Sequence, residues 1–386
     1  MDFALPEDVA EIRAAVRALC ERFPGSYWRG LEPDRYPEEL VAELTRNGWL
    51  AALIPVEHGG AGLSLGVAST ILEEICASGG NAGACHAQMY TMGTLLRHGS
   101  EAQKAYYLPR IAAGELRLQA FGVTEPGAGS DTTAIRTRAR RTDDGGWVVD
   151  GQKIWTSRAE HSDLMLLLAR TTPAADVERK TDGLSVFLVD MRDRGPELTI
   201  KPIETMMNHA TTEVFLDGLE LPAEALIGEE GRGFRQILDG MNAERILIAA
   251  ECIGDGRFFL DRASTYARER VVFGRPIGAN QGVQFPLARA HMAVQAADLM
   301  RWKAAWLYEA GQPAGAEANM AKFLASEASW QAANAALDAH GGFGFAREYD
   351  IERKFRETRL YQVAPVNNNL VQAFVGQHVL GLPRSY

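Results

Sequence analysis

Phe121-Gly-Val-Thr-Glu-Pro-Gly-Ala-Gly-Ser-Asp131 decides how the rest of the chain is read. Three turn-formers (Pro126, Gly127, Gly129) and three small polar groups (Thr124, Ser130, Asp131) fall within eight residues, after a short apolar run. Glycines let the backbone turn sharply and approach a ligand closely. Successive N–H groups in such a turn can form a concave anion-binding nest. The stretch also stands where the chain changes character, from helical periodicity upstream to β periodicity downstream.

Upstream, Val9, Ile12, Val16 and Leu19 recur at helical spacing over residues 7–23, and Pro24-Gly25 ends that run. Pro37 opens a second predicted helix over 38–47, followed by Gly48. Ile54-Pro-Val-Glu-His-Gly-Gly-Ala-Gly-Leu-Ser64 is Gly-rich but has no phosphate-binding Lys, and reads as a connector. Helical patterns continue through 65–76, 90–98 and 101–113. Downstream, residues 147–149, 164–169, 184–189, 198–200 and 213–216 are short apolar or alternating runs. Turn signals at 143–146 and 194–196 separate them, a pattern of an antiparallel β-domain and not of βαβ units. The polar stretch 171–182 reads as an exposed loop. Long helical segments return near 233–267, 284–309, 316–339 and 366–380, suited to a bundle. The expected class is α+β: an N-terminal helical domain (1–118), a central antiparallel β-domain (119–227) and a C-terminal four-helix bundle (228–386).

Composition excludes some classes. The formal charge is −10 and no Lys/Arg run appears, so nucleic acid is not an expected partner. Cys20, Cys76, Cys85 and Cys252 are scattered without a C-x-x-C pair, which suggests buried thiols and neither a zinc site nor a disulfide framework. No metal is expected. No apolar segment approaches the ~20 residues of a membrane span. Met1–Asp8 carries early acids and no basic-then-apolar leader pattern, so the expected location is the cytoplasm.

The loop at 124–131 resembles the T-E-P-x-A-G-S-D signature of the acyl-CoA dehydrogenase flavoprotein family, matching at Thr124, Glu125, Pro126, Ala128, Gly129, Ser130 and Asp131. Further similarities run from Ile54 to the C-terminal tail. The resemblance implies the same helix–strand–helix order, with FAD between the β-domain and the bundle, in a homotetramer or dimer serving fatty acid or amino acid catabolism. No G-x-G-x-x-G follows a strand at the chain start, so a Rossmann site is unsupported. The family instead implies a set of separated contacts. Val123, Thr124, Gly129 and Ser130 come from the loop. Gly151-Gln-Lys-Ile-Trp-Thr-Ser157 is similar to the family's G-x-K-x-W-I-T-N, with Trp155 against the flavin and Ser157 replacing a hydrogen-bonding Thr. Glu269-Arg-Val-Val-Phe-Gly-Arg-Pro-Ile-Gly-Ala-Asn-Gln281 is similar to R-x-x-F-G-x-x-I-x-x-x-Q. There Arg270 offers a planar fork suited to a pyrophosphate, and Phe273 and Gln281 lie along the cofactor. His340-Gly-Gly-Phe-Gly344 resembles the G-G-x-G turn, with Gly341 and Gly342 facing a neighbouring subunit's cofactor. Asn367 and Asn369 complete the implied FAD set. Each segment alone reads equally as a core Trp, a surface Arg–Glu pair or a simple turn.

The implied reaction is α,β-desaturation of an acyl-CoA, with electrons passing to an electron-transfer flavoprotein. A carboxylate can take the Cα proton if burial tunes it. Well-known members place a Glu near the C-terminus in a Y-E-G-T string. Here the tail reads Tyr361-Gln-Val-Ala-Pro-Val-Asn-Asn-Asn369, and Pro365 falls at that Glu. The isovaleryl and long-chain branch places its Glu before an Arg on an earlier helix, which matches Glu244 in Met241-Asn-Ala-Glu-Arg245. Phe234, Ile237, Leu238, Met241, Ile248 and Cys252 form an apolar stripe that includes Glu244. An acid on such a stripe is paired, neutralised or functional. Ser130, Asn242 and Arg245 match substrate-contact positions. Two departures stand out. Pro365 lacks the N–H that would polarise the thioester oxygen, so Val366 or another group donates, or the chemistry differs. Met207-Asn-His209 replaces a frequent Gly-x-Arg. The alternatives are the same fold running oxygenation, C–S cleavage or nitroalkane-type oxidation, or a non-catalytic binding protein.

Overall fold

The computed structural model describes residues 7–193 and 195–384. The leader reading at Met1–Pro6 and the turn residue Arg194 lie outside the described residues. In chain order the elements begin with α1 (Glu7–Cys20), α2 (Gly25–Leu31), α3 (Glu38–Arg46), α4 (Leu65–Ala77), α5 (Gly83–His98) and α6 (Glu101–Ala112). Eight strands follow: β1 (Leu118–Gly122), β2 (Arg138–Arg141), β3 (Trp147–Ser157), β4 (Leu164–Arg170), β5 (Leu184–Asp190), β6 (Leu198–Pro202), β7 (Thr211–Leu221) and β8 (Leu226–Ile227). Next come α7 (Gly233–Glu269), the hairpin β9 (Val271–Val272) and β10 (Arg275–Pro276), and α8 (Gln281–Glu309). The chain closes with α9 (Gly315–His340), α10 (Ile351–Arg359) and α11 (Asn368–Phe374). By compactness it forms two units, residues 1–32, 64–82 and 242–386, and residues 33–63 and 83–241.

The second unit is built on an eight-stranded sheet of order β6-β7-β3-β2-β4-β5-β8, with β1 pairing β4. Most pairs are antiparallel, as expected, but β1 runs parallel to β4 from Leu118 to Gly122, and β2 meets β4 in parallel at Arg138. β4 is apolar from Leu164 to Ala169 because both of its faces are covered. Leu164, Leu166 and Leu168 pack with Met92 and Leu95 of α5 and Leu108 and Ile111 of α6. Met165, Leu167 and Ala169 point the other way, against Trp147, Phe187 and Val214. That alternation is the period-two geometry of a strand.

The first unit is helical. α9 carries a run of buried alanines (Ala318, Ala321, Ala325, Ala328, Ala332), which permits close approach to α8 through Ala290, Val294 and Ala297. Its core also holds charge. Glu73 of α4 is fully buried and meets Arg13 at 2.8 Å, Arg301 at 3.0 Å, and Arg257. α10 buries Arg353, Lys354 and Glu357, with Arg353 and Lys354 also donating to the carbonyls of Gly79 and Gly80. Apolar periodicity cannot see such a helix, and the charged stretch carries no helical expectation above. The expected helix over 366–380 is shorter: Asn367 caps α11 by accepting from Leu370 N, and a π-turn over Val375–Val379 follows. The stripe around Glu244 also differs at Leu238, which is exposed.

Candidate active site

In the second unit the 124–131 string forms a tight turn. Glu125 and Ala128 exchange backbone hydrogen bonds around Pro126-Gly127, and Thr124 O accepts from Ile154 N at 2.9 Å. The turn is anchored from below by a fully engaged carboxylate. Glu125 Oε2 accepts from Arg136 N at 2.6 Å, and Oε1 accepts from Thr137 N at 2.9 Å and Lys153 Nζ at 2.8 Å. Lys153 also donates to Val123 O at 3.0 Å. Burial works to raise the Glu125 carboxyl, but the Lys153 charge and these hydrogen bonds outweigh it and hold it below its ordinary range. Burial pulls Lys153 down to about 8, which leaves it charged at neutral pH. Val123 and Thr124 are half-buried, while Gly129 and Ser130 are exposed.

β3 ends beside this turn with an irregular backbone. Its pairing with β7 shifts between Lys153 and Thr156, and Trp155 sits in that bulge at φ 60°. A bulge re-aims a side chain, and the Trp155 ring is 57% exposed. A Trp held in left-handed backbone with its face outward is the kind of local strain found at ligand sites. Ser157, half-buried, follows in pairing with Thr211. At the departure 207–209, Met207 is buried and Arg158 Nη2 lies 3.4 Å from His209 Nδ1. Burial and the Arg158 charge keep that imidazole well below its ordinary value.

In the first unit, β9 and β10 present Phe273 at the hairpin tip, at φ 53° and 99% exposed. The Arg270 guanidinium lies 5.6 Å from the Phe343 ring centroid and meets no carboxylate among the described residues. Its fork of donors is therefore unspent. Gly341 has φ 56° and ψ −130°, a conformation open to glycine alone, and a Cβ at Gly341 or Gly342 would meet nothing within 4 Å. Gln281 opens α8 at the surface, and Asn369 is likewise exposed. Side-chain donors, bare backbone and outward aromatic faces suit a phosphate-bearing, planar cofactor.

Glu244 lies on α7, only 6% exposed. Next to it, Arg245 Nη1 donates to Asn242 Oδ1 at 3.0 Å. Burial lowers the Arg245 guanidinium, and the Glu244 charge works against that. Arg245 Nε is buried with no hydrogen-bond partner among the described residues, an unsatisfied donor of the sort a ligand answers. Pro365 is exposed. Val366 O accepts from Lys322 Nζ at 2.7 Å, whereas the Val366 N–H donates to no group among the described residues. Lys322 carried no expectation from sequence, although an ionisable group among Ala318, Ala321 and Ala325 is the same signal that marked Glu244. All four cysteines are buried and free. Among the described residues no group of three His, Cys, Asp or Glu side chains could hold a metal, and no helix is long and apolar enough to cross a membrane.

Comparison with known proteins adds an independent line. The sequence matches the acyl-CoA dehydrogenase N-terminal domain over residues 6–115, the middle domain over 120–219 and the C-terminal domain over 231–375. It is 37% identical over 390 residues to acyl-CoA dehydrogenase FadE12 of Mycobacterium tuberculosis (strain ATCC 25618 / H37Rv), covering 100% of this chain and 99% of that one. The fold is similar to that of a glutaryl-coenzyme A dehydrogenase in complex with glutaryl-CoA, at TM-score 0.92 and 31% identity, covering 100% and 98% of the two chains. It is also similar to butyryl-CoA dehydrogenase from Megasphaera elsdenii, at TM-score 0.91 and 28% identity, covering 98% and 100%.

Proposed function

The chain belongs to the acyl-CoA dehydrogenase family, FAD-dependent oxidoreductases acting on the CH–CH bond of an acyl-CoA, and from that premise we propose Glu244 as its catalytic base. The observation that carries this reading is the buried carboxylate on α7, in a chain whose tail offers Pro365 where an acid would otherwise stand. Glu244 takes the proton from the carbon next to the thioester. Asn242 and the unsatisfied Arg245 Nε lie beside it to orient the substrate, and Ser130 is a further substrate contact. The Val366 N–H is the donor assigned to the thioester oxygen, taking over from the N–H that proline lacks.

FAD, when bound, supplies the two-electron acceptor for the reaction. Val123, Thr124, Gly129, Ser130, Trp155 and Ser157 are the ligands proposed from the second unit. Arg270, Phe273, Gln281, Gly341, Gly342, Asn367 and Asn369 are those proposed from the first. Electron-transfer flavoprotein is the proposed acceptor and the cytoplasm the proposed location. α8 supports association of copies, because Phe285, Met292, Leu299 and Trp306 are exposed at seven-residue intervals along one face. That spacing makes an apolar seam suited to another helix. Sizing at micromolar concentration should find an assembly larger than the 42.2 kDa chain, and a monomer would contradict the oligomer.

Anaerobic titration of the FAD-loaded protein against a panel of acyl-CoAs tests the function. At least one member should bleach the flavin and yield the enoyl-CoA without O₂. Failure of every acyl-CoA to bleach the flavin, or product formation that requires O₂ and a reductase, would contradict it.

A further inference from the structure

Four aromatic rings from three separate stretches meet near the C-terminal ends of α7 and α9. Tyr266 belongs to the last turn of α7, and His340 ends α9. Phe343 and Tyr349 follow in the short turns Gly341–Phe345 and Arg347–Tyr349. The His340 imidazole stacks on Tyr266, with centroids 4.3 Å apart and planes at 22°. Tyr349 meets both edge to face, 6.1 Å from Tyr266 and 5.8 Å from His340. Phe343 closes the box, 5.4 Å from Tyr349 and 6.4 Å from Tyr266. His340 Nδ1 lies 2.8 Å from Ala336 O, so that nitrogen carries a proton and donates it. Burial keeps the imidazole below its ordinary value, and it stacks as a neutral ring.

Two groups proposed above as FAD ligands are fastened to this box. The Arg270 guanidinium lies 5.6 Å from the Phe343 centroid, and Arg270 N donates to Tyr266 O at 2.8 Å. A cation within about 6 Å of a ring centroid is attracted to the ring. Such a contact spends none of the N–H donors that a carboxylate would take. Gly341 and Gly342 stand in the chain between His340 and Phe343, so two rings of the box hold the ends of that bare backbone. An arginine on a free stem loses rotamer freedom when it grips a phosphate, and one already held against a ring loses less. The string G-G-x-G specifies only the glycines. Tyr266, His340, Phe343 and Tyr349 all stand at positions it leaves open.

We propose that Phe343 is a positioning residue for the pyrophosphate of the cofactor: backed by Tyr266, His340 and Tyr349, its ring holds the Arg270 fork close to the Gly341-Gly342 backbone with the N–H donors free. This rests on the reading of Arg270 as an FAD ligand. Arg270 supplies the charge and Phe343 its orientation. The two side chains act as one unit, so their effects on FAD binding are not additive.

The test is the FAD dissociation constant of the full-length protein, read from flavin fluorescence as the holoprotein is diluted. Phe343 is 42% exposed, so a Leu is accommodated there without opening the core. Phe343→Leu should weaken FAD about tenfold, and Phe343→Tyr, which keeps the ring, should bind as the wild type does. In an Arg270→Gln background, Phe343→Leu should add no further loss. Wild-type affinity in Phe343→Leu, or an equal further loss in the Arg270→Gln background, would overturn the proposal. Tyr349→Leu removes the ring behind Phe343 and should weaken FAD about threefold, with Tyr349→Phe restoring it. An unmoved constant in Tyr349→Leu would overturn the proposal equally. Arg270→Gln alone separates the two claims. Unchanged affinity there removes Arg270 as a ligand, whereas a weakened Arg270→Gln beside an unchanged Phe343→Leu removes only the role of Phe343.

Discussion

Two buried glutamates, Glu125 beneath the signature turn and Glu244 on α7, both fall inside sequence motifs but stand in different kinds of element. Glu125 is held by two backbone N–H groups and an ammonium at 2.6–2.9 Å. A carboxylate so fully donated to is locked in its ionised form and is a poor proton acceptor. It acts as a structural pin, fixing the turn to β3 through Lys153. Glu244 instead sits on a long helix next to Arg245, whose Nη1 donates to Asn242 Oδ1 at 3.0 Å and whose buried Nε has no hydrogen-bond partner among the described residues. What marks the candidate base in the proposed reading is the unsatisfied donor next to it, of the sort a ligand answers, not the depth of burial.

The largest expected effect is on stability, through Glu125. Glu125→Gln leaves Lys153 buried without its partner and should cost about 3–5 kcal/mol of unfolding free energy. A loss below about 1 kcal/mol in denaturant titrations would contradict the role of Glu125 as a pin. The pH dependence follows from the same shift. The folded-state value of Glu125 lies below its ordinary 4.5, so its contribution is complete above that value and is lost as pH falls through the lower, folded-state value. A Glu125→Gln variant should lack that acid-side component of the wild-type stability curve.

A smaller effect bears on the tail. Val366→Pro deletes the N–H assigned to the thioester oxygen and should slow flavin reduction on the order of 100-fold, with FAD retained. An unchanged rate would shift that role to another donor.

The sequence was most legible where burial follows apolar pattern. β4 and β5 are largely apolar runs and lie where expected, and Glu244 was singled out by an acid on an apolar stripe together with the family pattern. Legibility failed where charge is buried in pairs. α10 hides Arg353, Lys354 and Glu357, and its only sequence signature is a run of charges. β2 reads Arg-Ala-Arg-Arg and places only Ala139 inward. The parallel pairing of β1 with β4 is a long-range choice that neither strand's composition records. Lys153 and Lys322 were missed as anchors for the same reason as α10: their acceptors, Val123 O and Val366 O among them, are backbone atoms far away in the chain.

The role of Glu244 is tested most directly by mixing the FAD-loaded Glu244→Gln variant, without oxygen, with an acyl-CoA that bleaches the wild type. The carboxylate account predicts retained flavin and bleaching slowed by about three orders of magnitude. Bleaching at the wild-type rate would contradict it.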